Sequence, residues 1–192
     1  SKRAEETQTD AIFDFPMHYA ITDVFCRNHS VAKLAFTLSM DELYPKDLRM
    51  ITFLDNHDLP RIDSVCKQSS AVADALLFQF GIRGLPMITY GFEAGLKGEK
   101  EPENRGDMRF QSHDNRIENI KTLRDLRAAY NVLESGMGEI QELDDKWLVY
   151  SQQNETHRSL IVVNRDEAPR RPHLNSEPIA AWHSKGLSSA DT

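Results

Sequence analysis

Four polar side chains stand in a row at Asp55-Asn56-His57-Asp58, directly after the apolar-leaning run Met50 to Leu54, and Arg61 follows three residues later. A carboxylate beside an imidazole has the means to hold hydroxyl groups, move a proton or stabilise developing positive charge. The plain alternative is a turn, since Asp and Asn favour strand ends and Asp caps helices. Four such groups in succession exceed what one turn requires, so the stretch reads as a site with Asp58 and His57 at its mouth. Downstream, the polar, glycine-containing stretch from Gly91 to Gln111 is long for a simple connection and reads as a functional loop. No metal is expected: His18, His29 and His113 stand singly without ligand spacing, and Cys26 and Cys66 form no metal motif. The two cysteines read as separate, buried, reduced thiols.

The elements that position these residues follow from periodicity. Ala11 to Phe15 reads as a short strand, with Pro16 suited to the first turn of a helix. Met17, Ala20, Ile21, Val24 and Phe25 form one helical stripe. Ser30 is predicted to cap a second helix carrying Val31, Leu34, Ala35 and Leu38. Arg49 to Leu54 reads as a strand. Ser69 and Ser70 are predicted to cap a helix with a stripe through Val72, Leu76, Leu77 and Phe80, ended by Gly81 and Gly84. Leu85 to Tyr90 reads as a third strand, and Asp114 or Asn115 caps a long helix from Arg116 to about Leu133. The order β-α-α-β-α-β-loop-α implies parallel strands joined by crossovers. Beyond Gly136 three short strands, Glu139–Leu143, Lys146–Ser151 and Arg158–Asn164, are separated by turns at Asp144-Asp145 and Asn154-Glu155, an antiparallel meander. Trp147 lies within a strand and is expected in the core, Tyr90 near the site, and Trp182 falls in a Pro-bearing tail.

With 192 residues, 28% charged and 40% hydrophobic, the chain has enough material for a real core. Its formal charge of −7 argues against a nucleic acid or an anionic membrane as partner. No apolar run approaches the roughly 20 residues of a membrane span. The opening Ser1 to Asp10 is polar throughout and carries no secretory signal, and localisation stays open.

Three stretches in order resemble the α-amylase superfamily, glycoside hydrolase family 13. Ile51-Thr-Phe-Leu-Asp-Asn-His-Asp58 with Arg61 is similar to its strand-seven signature Asn-His-Asp-x-x-Arg. Gly84-Leu-Pro-Met-Ile-Thr-Tyr-Gly-Phe-Glu93 resembles its strand-eight segment, and Lys97 to Arg105 with Met108 resembles the loop after it. Phe13-Asp-Phe15 and its helix match the segment around strand six, and the meander matches the start of the family's C-terminal β-domain, so the resemblance spans Ala11 to Asn164. An Asn-His-Asp strand end is also similar to binuclear metallophosphoesterases. Those sites expect Gly where Asp55 stands and an Asp-x-His motif upstream, and none precedes this strand.

The resemblance implies an α/β fold: strands six to eight of an eight-stranded (β/α) TIM barrel, followed by part of an antiparallel β-domain. The implied division is a polar lead over 1–10, barrel over 11–135, and β-domain with an irregular tail over 136–192. It implies retaining hydrolysis or transfer at α-glucosidic bonds of maltooligosaccharides or starch-like glucans, through a covalent glycosyl-enzyme and a carboxyl pair about 5 Å apart. Asp58 falls on the carboxylate that binds substrate hydroxyls and distorts the ring, and His57 on the histidine that helps hold that sugar. Asn56, Arg61, Asn104 and Arg105 become candidate substrate-binding residues, with an Arg105–Glu93 tie as the structural alternative. Asp55 and Glu93 become supporting ones. No cofactor is implied. The family's nucleophilic Asp and general-acid Glu should precede strand six, yet Ser1 to Asp10 offers only Glu5 and Glu6 in a polar run. The expectation is therefore a chain without that pair, binding glucan but inactive alone, its open barrel face taken by the remaining barrel or by self-association. A non-catalytic scaffold, subunit or carbohydrate-binding piece of the same superfamily is the alternative.

Overall fold

The computed structural model describes residues 9–45, 47–110, 115–131, 133, 137–173, 181–182 and 189–190. Glu5, Glu6, His113, Asp114, the boundary at Gly136 and the Trp182 side chain lie outside the described residues. Three strands form a parallel sheet in the order β1 (Ala11–Phe13), β2 (Arg49–Phe53), β3 (Leu85–Met87). Ile12 lies level with Met50, and Thr52 with Pro86. Helices α1 (Phe15–Ile21) and α2 (Ala32–Ser39) connect β1 to β2, and α3 (Ile62–Val65) and α4 (Ser69–Gly81) connect β2 to β3. Helix α5 (Arg116–Ala129) follows the long loop. An antiparallel sheet, β4 (Met137–Leu143), β5 (Trp147–Gln153) and β6 (Arg158–Asn164), comes next, and a two-stranded piece pairs β7 (Ala181–Trp182) with β8 (Ser189–Ala190).

Much of the predicted stripes is buried. Met17, Ile21, Val24, Leu34 and Leu76 from them, together with Ile62 and Ile82, which the spacing did not single out, are fully or almost fully enclosed, each side chain contributing about 1.5–3 kcal/mol by leaving water. Leu148, Tyr150 and Val163 of the antiparallel sheet belong to the same core, and the Val31 N–H donates to the Asp145 carbonyl at 3.0 Å. Burial pushes the Tyr150 phenol up to about 12, so it stays protonated within that core. The meander turns form through their own side chains. Asp144 Oδ1 accepts the Lys146 and Trp147 N–H groups at 2.8 and 2.9 Å, and Asn154 Oδ1 accepts those of Thr156 and His157 at 3.0 and 2.8 Å. Trp147 is 1% exposed, donates to Glu142 at 2.7 Å and lies under Arg170.

Several local expectations are corrected. Cys26 and Cys66 are not separate thiols: they form a disulfide with Cα atoms 4.4 Å apart, because the turn after α1 packs against the end of α3. The first helix changes to π hydrogen bonding over Thr22–Cys26, with the Thr22 hydroxyl on the His18 carbonyl at 2.9 Å. Its cap, unforeseen in the sequence, is the buried Asp14, which accepts the Met17 N–H at 3.0 Å beside Pro16. The other Asp14 oxygen meets Arg83 at 2.7 Å, and Arg83 also pairs with Asp41, clamping both ends of the β1–β2 connection to the approach to β3. Helix α4 begins at Ser69 with Gln68 at its N-cap and no side-chain cap bond, so neither serine caps it. Strand β3 stops at Met87, and the Thr89 hydroxyl then bonds to the Asp55 carbonyl at 2.7 Å. Helix α5 stops at Ala129, four residues short of Leu133, as Tyr130 turns extended. Just before that end, Arg127 donates to the carbonyls of Phe80, Ile82, Gly84 and Leu133.

Candidate active site

The central strand carries the cluster. Strand β2 ends at Phe53, and Asp55, Asn56, His57 and Asp58 follow at its C-terminal end, on the side where β/α sheets build their sites. Exposure then divides the predicted residues into two groups. Asp55, Arg61 and Asn104 are only 3%, 1% and 3% exposed, whereas the side chains of His57 and Asp58 are each 62% exposed.

The buried group forms the mount. Arg61 donates to the Asn104 carbonyl at 2.7 Å and the Tyr90 carbonyl at 2.9 Å, stacks on the Tyr90 ring at 4.6 Å and faces Asp55 at 3.6 Å. Asp55 accepts the Ile62 N–H at 2.9 Å. Burial raises the Asp55 carboxyl above its ordinary range, against the lowering pull of the Ile62 N–H and of Arg61. Asn104 donates to the carbonyls of His57 and Leu59 at 3.0 and 3.3 Å, tying the second loop to the first. Gly98 makes that crossing possible. A Cβ there would stand 2.4 Å from the backbone of Glu103 and Asn104, and its carbonyl accepts the Arg61 N–H at 2.8 Å. Asn56 works locally, its side chain accepting the Asp58 N–H at 2.9 Å.

The exposed group is what a ligand would meet. His57 Nε2 stands 3.3 Å from Asp58 Oδ1, and Arg105 reaches the same oxygen at 3.0 Å and the His57 carbonyl at 3.2 Å. Arg105 also pairs with Glu101 at 3.3 Å, so the tie from Arg105 runs to Asp58 and Glu101. Glu101 escaped sequence reasoning, although its i,i+4 spacing to Arg105 was visible. Glu93 stands apart, in the turn Phe92–Ala94, lining a half-open recess of about 320 Å³ with Tyr90, Ile117 and Lys121. Another residue at this end of the sheet was missed. His18 is buried and stacks on Phe53 with centroids 5.0 Å apart. Burial lowers its pKa, and its Nδ1 has no partner among the described residues. No cluster of three or more metal-ligating side chains occurs among the described residues. No helix among them is long and apolar enough to cross a membrane.

Chemically, the arrangement offers a carboxylate, an imidazole and a guanidinium converging on one open spot. That trio suits binding of vicinal hydroxyls and stabilisation of positive charge. Among the described residues Asp55 is buried and engaged, which leaves Asp58 as the carboxylate of the cluster open to a ligand.

Comparison with known proteins follows the same lines. A family model described as the alpha amylase catalytic domain matches residues 4–184. A cyclomaltodextrinase of Geobacillus thermopakistaniensis is 31% identical over 86% of this chain, and a beta/alpha-amylase of Paenibacillus polymyxa 29% identical over 81%. The chain spans only 30% and 14% of those two proteins. An Anoxybacillus α-amylase of known structure superimposes with a TM-score of 0.76 at 26% identity, over 84% of this chain and 38% of that one.

Proposed function

The chain belongs to the alpha-amylase family, and from that premise we propose that it supplies strands six to eight and the sugar-holding corner of a retaining α-glucan hydrolase or transferase. The observation that carries this reading is the exposed trio Asp58, His57 and Arg105 at the C-terminal end of the central parallel strand. On this reading residues 11–135 are barrel and 136 onward begins a β-domain. Asp58 accepts hydroxyl donors from a glucose ring and favours its flattened, oxocarbenium-like form. His57 and Arg105 hold neighbouring hydroxyls and fix the carboxylate. Arg61, Asn104 and Asp55 position that group from beneath, since their side chains are buried and bonded to backbone. Asn56 shapes the turn. The substrate class is a maltooligosaccharide or related α-glucan, because curated relatives are named cyclomaltodextrinase and amylase.

Double displacement needs a nucleophile and a general acid in addition to Asp58. The proposal places both outside this chain, on the remaining barrel. The test is turnover of a maltooligosaccharide by the 192-residue chain, with Asp58→Asn beside it, together with calorimetric binding of maltoheptaose to both. Binding without turnover, weakened about tenfold or more by Asp58→Asn, is the expected result. Turnover abolished by that substitution would overturn the placement of the missing pair. Absence of binding would favour the scaffold alternative.

A further inference from the structure

We propose that Cys26 and Cys66 form a thiol-responsive latch on the segment that follows the candidate sugar loop, closed as a disulfide and opened by reduction. The location of the pair carries the inference. Cys66 ends α3, the single turn that begins immediately after Arg61, and Cys26 ends the π-bonded turn Thr22–Cys26. Their Cα atoms are 4.4 Å apart across 40 residues of sequence. The bond therefore joins the connection after β1 to the connection that emerges from the site.

Both half-cystines sit at element ends, where the backbone can move without breaking a helix. Cys66 and Gln68 are extended, and Asn28, two residues past Cys26, has a φ of 60°. The near end of the site loop is held by Thr89 on the Asp55 carbonyl, and its middle by Arg61 and Asn104, all through hydrogen bonds. At the far end α3 is four residues long: Ile62 donates to Asp55, Asp63 pairs with Arg116 at 2.7 Å and Ser64 accepts the Gly98 N–H at 2.8 Å, while Cys66, beyond those ties, is fastened by the disulfide. A helix of one turn has almost no stability of its own, so its place depends on what it is fastened to.

The chemistry balances with thiol reagents alone. Closing the latch removes two electrons and two protons from the Cys26 and Cys66 thiols, reducing one molecule of a small-molecule disulfide to two thiols. Opening runs by thiolate attack on a sulfur, release of the other as a thiolate, and resolution by a second thiol. The Cys26 side is the accessible one, being half-buried, whereas Cys66 is 7% exposed.

The test is amide hydrogen exchange on the whole 192-residue chain, oxidised, reduced with dithiothreitol, and as the Cys26→Ser, Cys66→Ser double variant. The reporters are Ser64 and Cys66, whose N–H groups donate to the Arg61 and Ile62 carbonyls at 2.8 Å. Those two amides should exchange at least tenfold faster in the reduced and double-variant proteins, with the amides of β5 unchanged. Two titratable thiols in the chain purified without reductant would overturn the latch. So would unchanged exchange on reduction, and so would equal acceleration everywhere, which would mean a global staple. The readout needs no sugar, so failure of maltoheptaose binding would sink the proposed function and leave the latch standing.

Discussion

At the scale of single residues, the site separates what is seen from what holds it. Arg61 is the clearest holder. It is buried, donates to the carbonyls of Asn104 in the second loop and of Tyr90 just before it, and faces the carboxylate of Asp55. Removing one partner of a buried pair leaves the other charge uncompensated, so Arg61→Ala should lower unfolding free energy by about 3–5 kcal/mol. Urea denaturation checks this, and Arg105→Ala, on an exposed pair, should change stability by less than about 1 kcal/mol. His18 supplies a pH signature. Burial lowers its pKa below the ordinary 6.5, so below that value the unfolded chain binds a proton that the native state resists. Native stability therefore falls as pH drops from about 6.5 toward the lowered native value. Replacing His18 by Gln should remove that part of the slope, seen by comparing melting temperatures of both proteins at pH 7 and pH 5.

At the scale of elements, loops and turns are placed by a few obligatory contacts. The approach to β3 passes so close to β2 that a Cβ at Gly84 would stand 2.2 Å from the Met50 carbonyl oxygen, at a φ of +91°. Gly84→Ala must then both strain the backbone and part the two strands. A loss of at least about 1–3 kcal/mol is expected from the φ alone, read as a lower melting temperature. Element existence was largely legible beforehand. The apolar stripes of α1, α2 and α4 and the turn residues Asp144 and Asn154 announced themselves, because period and turn chemistry are local properties. Element ends were less legible. No local signal marks the switch to π bonding at Thr22, and near the stop at Ala129 Arg127 bonds to the carbonyls of Phe80 and Ile82, distant groups that local sequence does not display.

At the scale of the whole molecule, the parallel sheet has three strands, and among the described residues β1 and β3 each pair on one side only. Phe13 and Phe15, at the β1 edge, are 48% and 41% exposed, and Tyr90, in the half-open recess between the end of β3 and α5, is 44% exposed. Such edges and apolar faces favour association. The chain alone should bind a hydrophobic dye and sediment faster with rising concentration; a dye-silent monomer at every concentration would contradict this. The row Asp55 to Asp58, with Arg61 after it, stood out in the sequence because polar groups clustered after an apolar strand are visible in one dimension, whereas Glu93, Asn104 and Arg105 were named through the resemblance to the family. The family was legible because three of its motifs stand in order along the chain. Only the tertiary structure separated Asp58, His57 and Arg105 at the surface from Asp55, Arg61 and Asn104 beneath them, joined Cys26 to Cys66, and set Asp14 against Arg83. Those outcomes depend on which distant segments pack over a residue, and burial and pairing across 40 or more positions are properties of the packed chain rather than of any local pattern.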